Sequence, residues 1–121
     1  MKQIVIVGLG GFIGASLRYM IGSWISQFHK TGFPFNTFLV NICGCFLLGL
    51  FLGMGFDKNS EFPLKEFVLI GILGGFTTFS AFGLETYEMI NNDQFKLSII
   101  YGLSSILLGV LALAAGIFIS N

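Results

Sequence analysis

An all-α membrane protein of four transmembrane helices is the fold this sequence predicts, and three observations carry it. Of its 121 residues, 55% are hydrophobic and only 10% are charged, whereas about a quarter of a soluble domain is charged. The apolar residues gather in four long runs, each near the ~20 residues that cross a bilayer as a helix. The polar residues fall in three short breaks between the runs. The chain reads as a single domain over residues 1–121, with the lipid bilayer as the environment of its apolar excess.

The first run extends from about Ile4 to Ile25. Its Met1-Lys2 start resembles a signal peptide, but the hydrophobic stretch continues past Ile21, so it is expected to be a retained span. Gly10, Gly14 and Gly22 fall on one stripe with Arg18, and Trp24 suits the bilayer interface near the end of the helix. The second run extends from about Thr37 to Phe56. Pro34 precedes it, and Asn36 is the expected N-cap. Thr37, Asn41, Cys45, Gly49 and Gly53 form an i,i+4 stripe along it. The third run, from about Phe67 to Tyr87, carries Glu85 near its end. The fourth, from about Leu97 to Ile119, repeats Ser98, Tyr101, Ser105, Gly109, Ala112 and Gly116 at spacings of three and four. Each helix is thus predicted to have one small or polar face on which neighbouring backbones approach closely. The breaks Gln27–Asn36, Asp57–Glu66 and Asn91–Lys96 hold both prolines and His29, which reads as a solvated loop residue. Connections this short predict antiparallel neighbours in an up-down bundle.

Composition excludes several classes of function. Lys+Arg 6 balances Asp+Glu 6, so no basic patch marks a nucleic-acid partner. Cys43 and Cys45, two apart on a helix, point their thiols in different directions, which argues against a disulfide or a metal site. No nucleophile–base pair and no metal-ligand cluster is visible, so the chain is not read as an enzyme and no catalytic residue is assigned.

The residues that need a further explanation are polar ones inside apolar helices. Arg18 is costly there and is a functional candidate by default. A structural arginine tied to backbone carbonyls or to Glu85, or one reaching a watery vestibule, fits equally. Asn41 lies fairly deep in the second helix and must meet either another helix or a permeating ion. In Gly71–Phe82, Gly74-Gly75 followed by β-branched Thr77-Thr78 makes a poor helix core, so a break near mid-membrane is expected. Unwound backbone at that depth must be buried in protein or line a cavity, and its free carbonyls make a natural cation ligand set. Phe79 and Phe82 share a face, and their ring edges carry partial positive charge that can line an anion path without binding the ion strongly. Asn41, Thr77, Thr78, Ser80, Tyr101 and Ser105 supply polar but uncharged donors. Such an inventory fits a small, strongly hydrated anion, which needs donors in place of water yet must be released. The inventory alone does not name the anion.

Three motifs resemble, in order, those of the Fluc (CrcB) fluoride channels. They are Gly10-Gly11-Phe-Ile-Gly14-Ala15-Ser-Leu-Arg18-Tyr19, then Val40-Asn41-Ile-Cys-Gly44-Cys-Phe46 followed by Gly49, then Gly74-Gly75-Phe76-Thr77-Thr78-Phe79-Ser80-Ala81-Phe82 followed by Glu85. Ala81 stands where the family often has threonine. The resemblance implies an antiparallel homodimer with two fluoride pores that export toxic fluoride passively, in the plasma (inner) membrane of a prokaryote. It implies a structural Na+ at the dimer centre, held by the backbone carbonyls of Gly74 and Thr77. Carried over residue by residue, it implies Phe79 and Phe82 as ring-edge pore residues. Asn41, Thr78, Ser80, Tyr101 and Ser105 become polar pore groups, and Arg18 lies near the vestibule.

A small multidrug-resistance-type exporter is the rival reading. It needs a titratable carboxylate inside the membrane, typically in the first helix, where this chain has only Arg18. Charge placement adds an expectation of its own. Lys2, Lys58 and Lys65 fall on one side of a four-span chain, Lys30 and Lys96 on the other, with Arg18 nearer the second side. The Lys/Arg bias that normally fixes orientation is nearly absent, so the chain is expected to insert both ways and to pair antiparallel with itself.

Overall fold

Glycine-rich apolar runs become helical here because lipid offers backbone N–H and C=O groups no other partner. The computed structural model describes residues 1–55 and 62–121. The expected helix end at Phe56 and the loop residues Asp57 and Lys58 lie outside the described residues. Helix α1 spans Lys2–Phe28 and α2 spans Phe35–Met54. The third segment is π-wound over Glu66–Leu73, continues as the short α3, Gly74–Phe76, and resumes as α4, Phe79–Asn91. Helix α5 spans Phe95–Ser120. Four stretches, Lys2–Phe28, Phe35–Met54, Glu66–Asn91 and Phe95–Ser120, are long and apolar enough to cross a membrane. Large apolar side chains such as Phe12, Leu103 and Phe118 face outward, the inverse of a water-soluble surface. The protein is a multi-pass membrane protein built of helices.

The packing partners differ from the antiparallel neighbours that short loops suggest. Helix α1 packs most closely on the π-wound segment and α3, and α2 packs most closely on α5. Both pairs run parallel. Gly10 of α1 meets Phe67 and Gly71, and Gly14 meets Ile72 and Phe76. Gly49 of α2 meets Leu113 and Ile117, while Gly116 meets Phe46 and Leu50. A β-carbon at Gly14 or Gly116 would collide with the partner's backbone. The small faces that the periodicity marks are therefore faces of backbone-to-backbone contact. Where glycine lets two helix axes approach this closely, dispersion contact outweighs the preference for the neighbour next in sequence.

The start of α2 also differs from expectation. The helix begins at Phe35 with Pro34 at the N-cap, and no side chain caps it. Asn36 lies inside the first turn instead. The preceding loop is held by rings: His29 meets Phe35 in a tilted contact at 5.0 Å, and Phe33 contacts Phe35 at 4.7 Å.

Candidate functional site

Between α3 and α4 the backbone extends for two residues, Thr77 (φ −82°, ψ 156°) and Thr78 (φ −146°, ψ 117°). Side chains replace the helical hydrogen bonds lost there. The Thr78 N–H donates to Asn41 Oδ1 at 2.8 Å, and Asn41 Nδ2 donates to the Thr78 carbonyl at 3.0 Å. Thr78 in turn caps α4, its hydroxyl accepting from the Ala81 N–H at 3.2 Å, and it shares a hydrogen bond with the Ser80 hydroxyl at 3.2 Å. The Thr77 hydroxyl donates back to the Leu73 carbonyl at 3.0 Å. Its methyl group enters the space left by Gly44 of α2, where a β-carbon would collide with it.

These substitutions have an electrostatic consequence. In an unbroken helix the carbonyl of Gly74 would accept from the Thr78 N–H, and that of Thr77 from the Ala81 N–H. Here those amides go to Asn41 and to the Thr78 hydroxyl. The two carbonyls are thereby released from the helical ladder, and Gly74 is exposed.

Asn41, Thr78, Phe79, Phe82 and Ser105 line one groove of about 370 Å³, which Gly74 and Thr77 also border. The Ser105 hydroxyl is buried and has no hydrogen-bond partner among the described residues. Phe79 is 83% exposed on the single chain, so little packing holds it in place. Its ring lies 5.6 Å from that of Phe82, and Phe82 lies 5.0 Å from Tyr101. Tyr101 itself is fully buried and does not border the groove. Phe33 meets it edge-on at 5.3 Å.

A second cavity of about 500 Å³ is lined by Arg18, Thr37, Thr78 and Glu85, among others. Thr78 belongs to both cavities, so the extended link is their shared wall. Arg18 and Glu85 border the same space, but the carboxylate accepts hydroxyls rather than the guanidinium. The Thr37 hydroxyl donates to Glu85 Oε1, and the Tyr101 hydroxyl donates to Oε2 at 2.6 Å. This cluster joins α2, α4 and α5. From the sequence, Tyr101 is a polar pore group, Thr37 only a member of the α2 stripe and Glu85 only one possible partner of Arg18; the structure pairs Glu85 with Thr37 and Tyr101 instead. The available signal was a carboxylate within an apolar span, which requires donors from its neighbours.

Among the described residues no group of three His, Cys, Asp or Glu side chains could hold a metal. Neutral oxygens do lie near the break, and the released carbonyls of Gly74 and Thr77 are hard donors of the kind that could hold an alkali cation.

The profile of the family described as "CrcB-like protein, Camphor Resistance (CrcB)" matches residues 5–117. A fluoride-specific ion channel FluC of Flavobacterium psychrophilum is 40% identical over 122 aligned residues, covering 100% of this chain and 98% of the relative. One from Oceanobacillus iheyensis is 42% identical, covering 91% of this chain and 84% of the relative. One from Rhizobium meliloti is 37% identical, covering 97% and 94%.

Proposed function

This chain belongs to the CrcB family, and from that premise we propose that it is a fluoride channel, a passive exit for fluoride rather than an enzyme or a pump. One observation carries the reading at the level of residues. Asn41, Thr78, Phe79, Phe82 and Ser105, drawn from α2, α4, α5 and the link between α3 and α4, border one groove that holds polar groups but no charge. A small anion crossing the bilayer loses water and needs donors in its place. The Ser105 hydroxyl, the second hydrogen of the Asn41 amide and the electropositive edges of Phe79 and Phe82 can each supply a weak replacement. Weakness matters, because an ion held by a full positive charge would not leave. Arg18 sits off the groove, in the neighbouring cavity. There it can concentrate anions at the entrance without trapping them in the path. Ser80 extends the donor set through its contact with Thr78.

The remaining parts follow from the same residues. In this reading the Thr77–Thr78 link lies at mid-membrane, where its irregular backbone would line a cavity as bilayer physics requires. A second copy inserted the opposite way would bring two such links together and complete two grooves. On the two-fold axis each copy would contribute the Gly74 and Thr77 carbonyls to one shared Na+. Bound there, the ion would neutralise converging carbonyl dipoles and tie the two interrupted helices together.

An exporter of the small multidrug-resistance type is not favoured. α1 carries no carboxylate, and the two oxygens of Glu85 already accept hydroxyls.

The test is fluoride release from liposomes reconstituted with the purified protein and loaded with fluoride, with and without a pH gradient. The expected result is release down the fluoride gradient once counter-ion movement is allowed, with no accumulation when a proton gradient alone is imposed. Proton-driven accumulation against a fluoride gradient would contradict a passive channel.

A further inference from the structure

We infer that Asn41 is a positioning residue for the break in the third span, and that by capturing the Thr78 amide it opens the Gly74 carbonyl, so that one side chain couples the anion groove to the cation site. The coupling rests on the cation site proposed above.

The geometry is specific. Thr78 lies four residues after Gly74, the spacing at which an α-helix joins N–H to C=O. Asn41 Oδ1 takes that N–H at 2.8 Å, and Asn41 Nδ2 takes the carbonyl of the same residue at 3.0 Å. A carboxamide is the shortest side chain that presents an acceptor and a donor side by side, so it pairs with an extended residue as a neighbouring strand would. An aspartate offers the acceptor alone, and a serine cannot span both groups. Gly44, one helical turn further along the same face of α2, admits the Thr77 methyl group. One face of α2 therefore grips both extended residues, Thr77 by shape and Thr78 by hydrogen bonds.

The grip decides between two states of the backbone. With the Thr78 N–H on Asn41, the Gly74 carbonyl has no helical donor and is available to a cation. Without Asn41, that N–H and the carbonyl of the same residue lose their partners, the extended link is no longer held, and the Gly74 carbonyl is no longer presented to a cation in one fixed geometry. Asn41 also borders the groove beside Ser105 and Phe79. Removing it should disturb both sites, whereas removing a residue that only borders the groove should disturb one.

The experiment compares Asn41→Ala, Asn41→Asp and the groove control Ser105→Ala with the unmodified protein in lipid, using two readouts that do not depend on flux. The first is residue-resolved hydrogen exchange at the Thr78 amide. Exchange is expected to rise by ~10-fold or more in Asn41→Ala, as when a buried hydrogen bond is lost. It should change little in Ser105→Ala. Asn41→Asp retains an acceptor for the amide and should lie between them, which keeps the test available if the alanine variant folds poorly. The second readout is the rise in melting temperature when sodium replaces N-methylglucamine. The rise is expected in the unmodified protein and in Ser105→Ala, and should be lost in Asn41→Ala. Unchanged protection of Thr78 in both Asn41 variants would overturn the inference. So would a full sodium response in an Asn41→Ala protein whose Thr78 amide has become exposed, because the grip on Thr78 would then not be what presents the Gly74 carbonyl. Absence of a sodium response in the unmodified protein, with Thr78 exposed in Asn41→Ala, would uphold the grip on the break and overturn the cation site instead.

Discussion

The Tyr101 hydroxyl donates to Glu85 Oε2 at 2.6 Å, from a ring that is wholly buried between Phe82 and Phe33. A carboxylate inside an apolar bundle is tolerated only when its oxygens are satisfied, and Thr37 supplies the other donor. Tyr101→Phe keeps the ring stack and removes one of the two donors. The expected loss is about 1.5–3 kcal/mol, the range for a hydrogen bond to a charged group. Thermal unfolding in detergent measures it. A melting temperature unchanged from that of the unmodified protein would mean that the Tyr101 hydroxyl does not hold Glu85.

Phe79→Ile and Phe82→Ile separate ring chemistry from packing. Isoleucine keeps bulk and apolarity but removes the electropositive edge. Because Phe79 is 83% exposed on the single chain, its replacement removes little internal packing. Fluoride flux should fall in both variants, by about tenfold or more if each edge contributes ~1.4 kcal/mol to passage, while the expression and folding of Phe79→Ile remain normal. Undiminished flux in the pair would refute the role given to the rings.

Gly44→Ala tests the fit of Thr77 against α2. The new β-carbon would collide with the Thr77 methyl group, and overpacking of this kind costs about 1–3 kcal/mol. Thr77→Ser removes that methyl group and keeps the hydroxyl that bonds to Leu73. The double variant should therefore recover most of the stability lost in Gly44→Ala. Two additive losses in a double-mutant cycle would show that the two residues are not in contact.

Much of the architecture is legible in the sequence because bilayer thickness imposes it. Run length alone marks the four spans, and Gly74-Gly75 with Thr77-Thr78 marks where regular helix is hardest to hold. The i,i+4 stripes mark which faces pack. They do not say against which helix, because Gly14 is as good a surface for α2 as for the third span. The preference for α1 on the third span and α2 on α5 depends on matched glycines in both partners. Asn36 shows the limit of a local capping rule: the helix begins one residue earlier, at Phe35, whose N–H is taken by the Phe33 carbonyl at 2.9 Å, so Asn36 falls inside the first turn. The Thr37–Glu85–Tyr101 cluster was hidden for a different reason. Thr37 fits a small-residue stripe, and Tyr101 fits a polar one. Only the folded chain brings both hydroxyls to one carboxylate.

Orientation can be read chemically. A single cysteine at Asn92, in a Cys43→Ala, Cys45→Ala background, lies in the turn after α4. An impermeant thiol reagent applied to intact cells should label about half of the protein if the weak Lys/Arg bias lets the chain insert both ways. Full labelling, or none until the cells are lysed, would establish one fixed orientation and remove the antiparallel pair.

The most direct test of the account is the reversal potential of the reconstituted protein in a planar bilayer, with fluoride on one side and an equal concentration of chloride on the other. A passive fluoride path gives a sustained current without any proton gradient and a reversal potential displaced far toward the fluoride equilibrium value. In Phe79→Ile and Phe82→Ile, that current should fall. A reversal potential near zero would mean that the path does not distinguish fluoride from chloride, and would contradict the assignment of this groove as a fluoride channel.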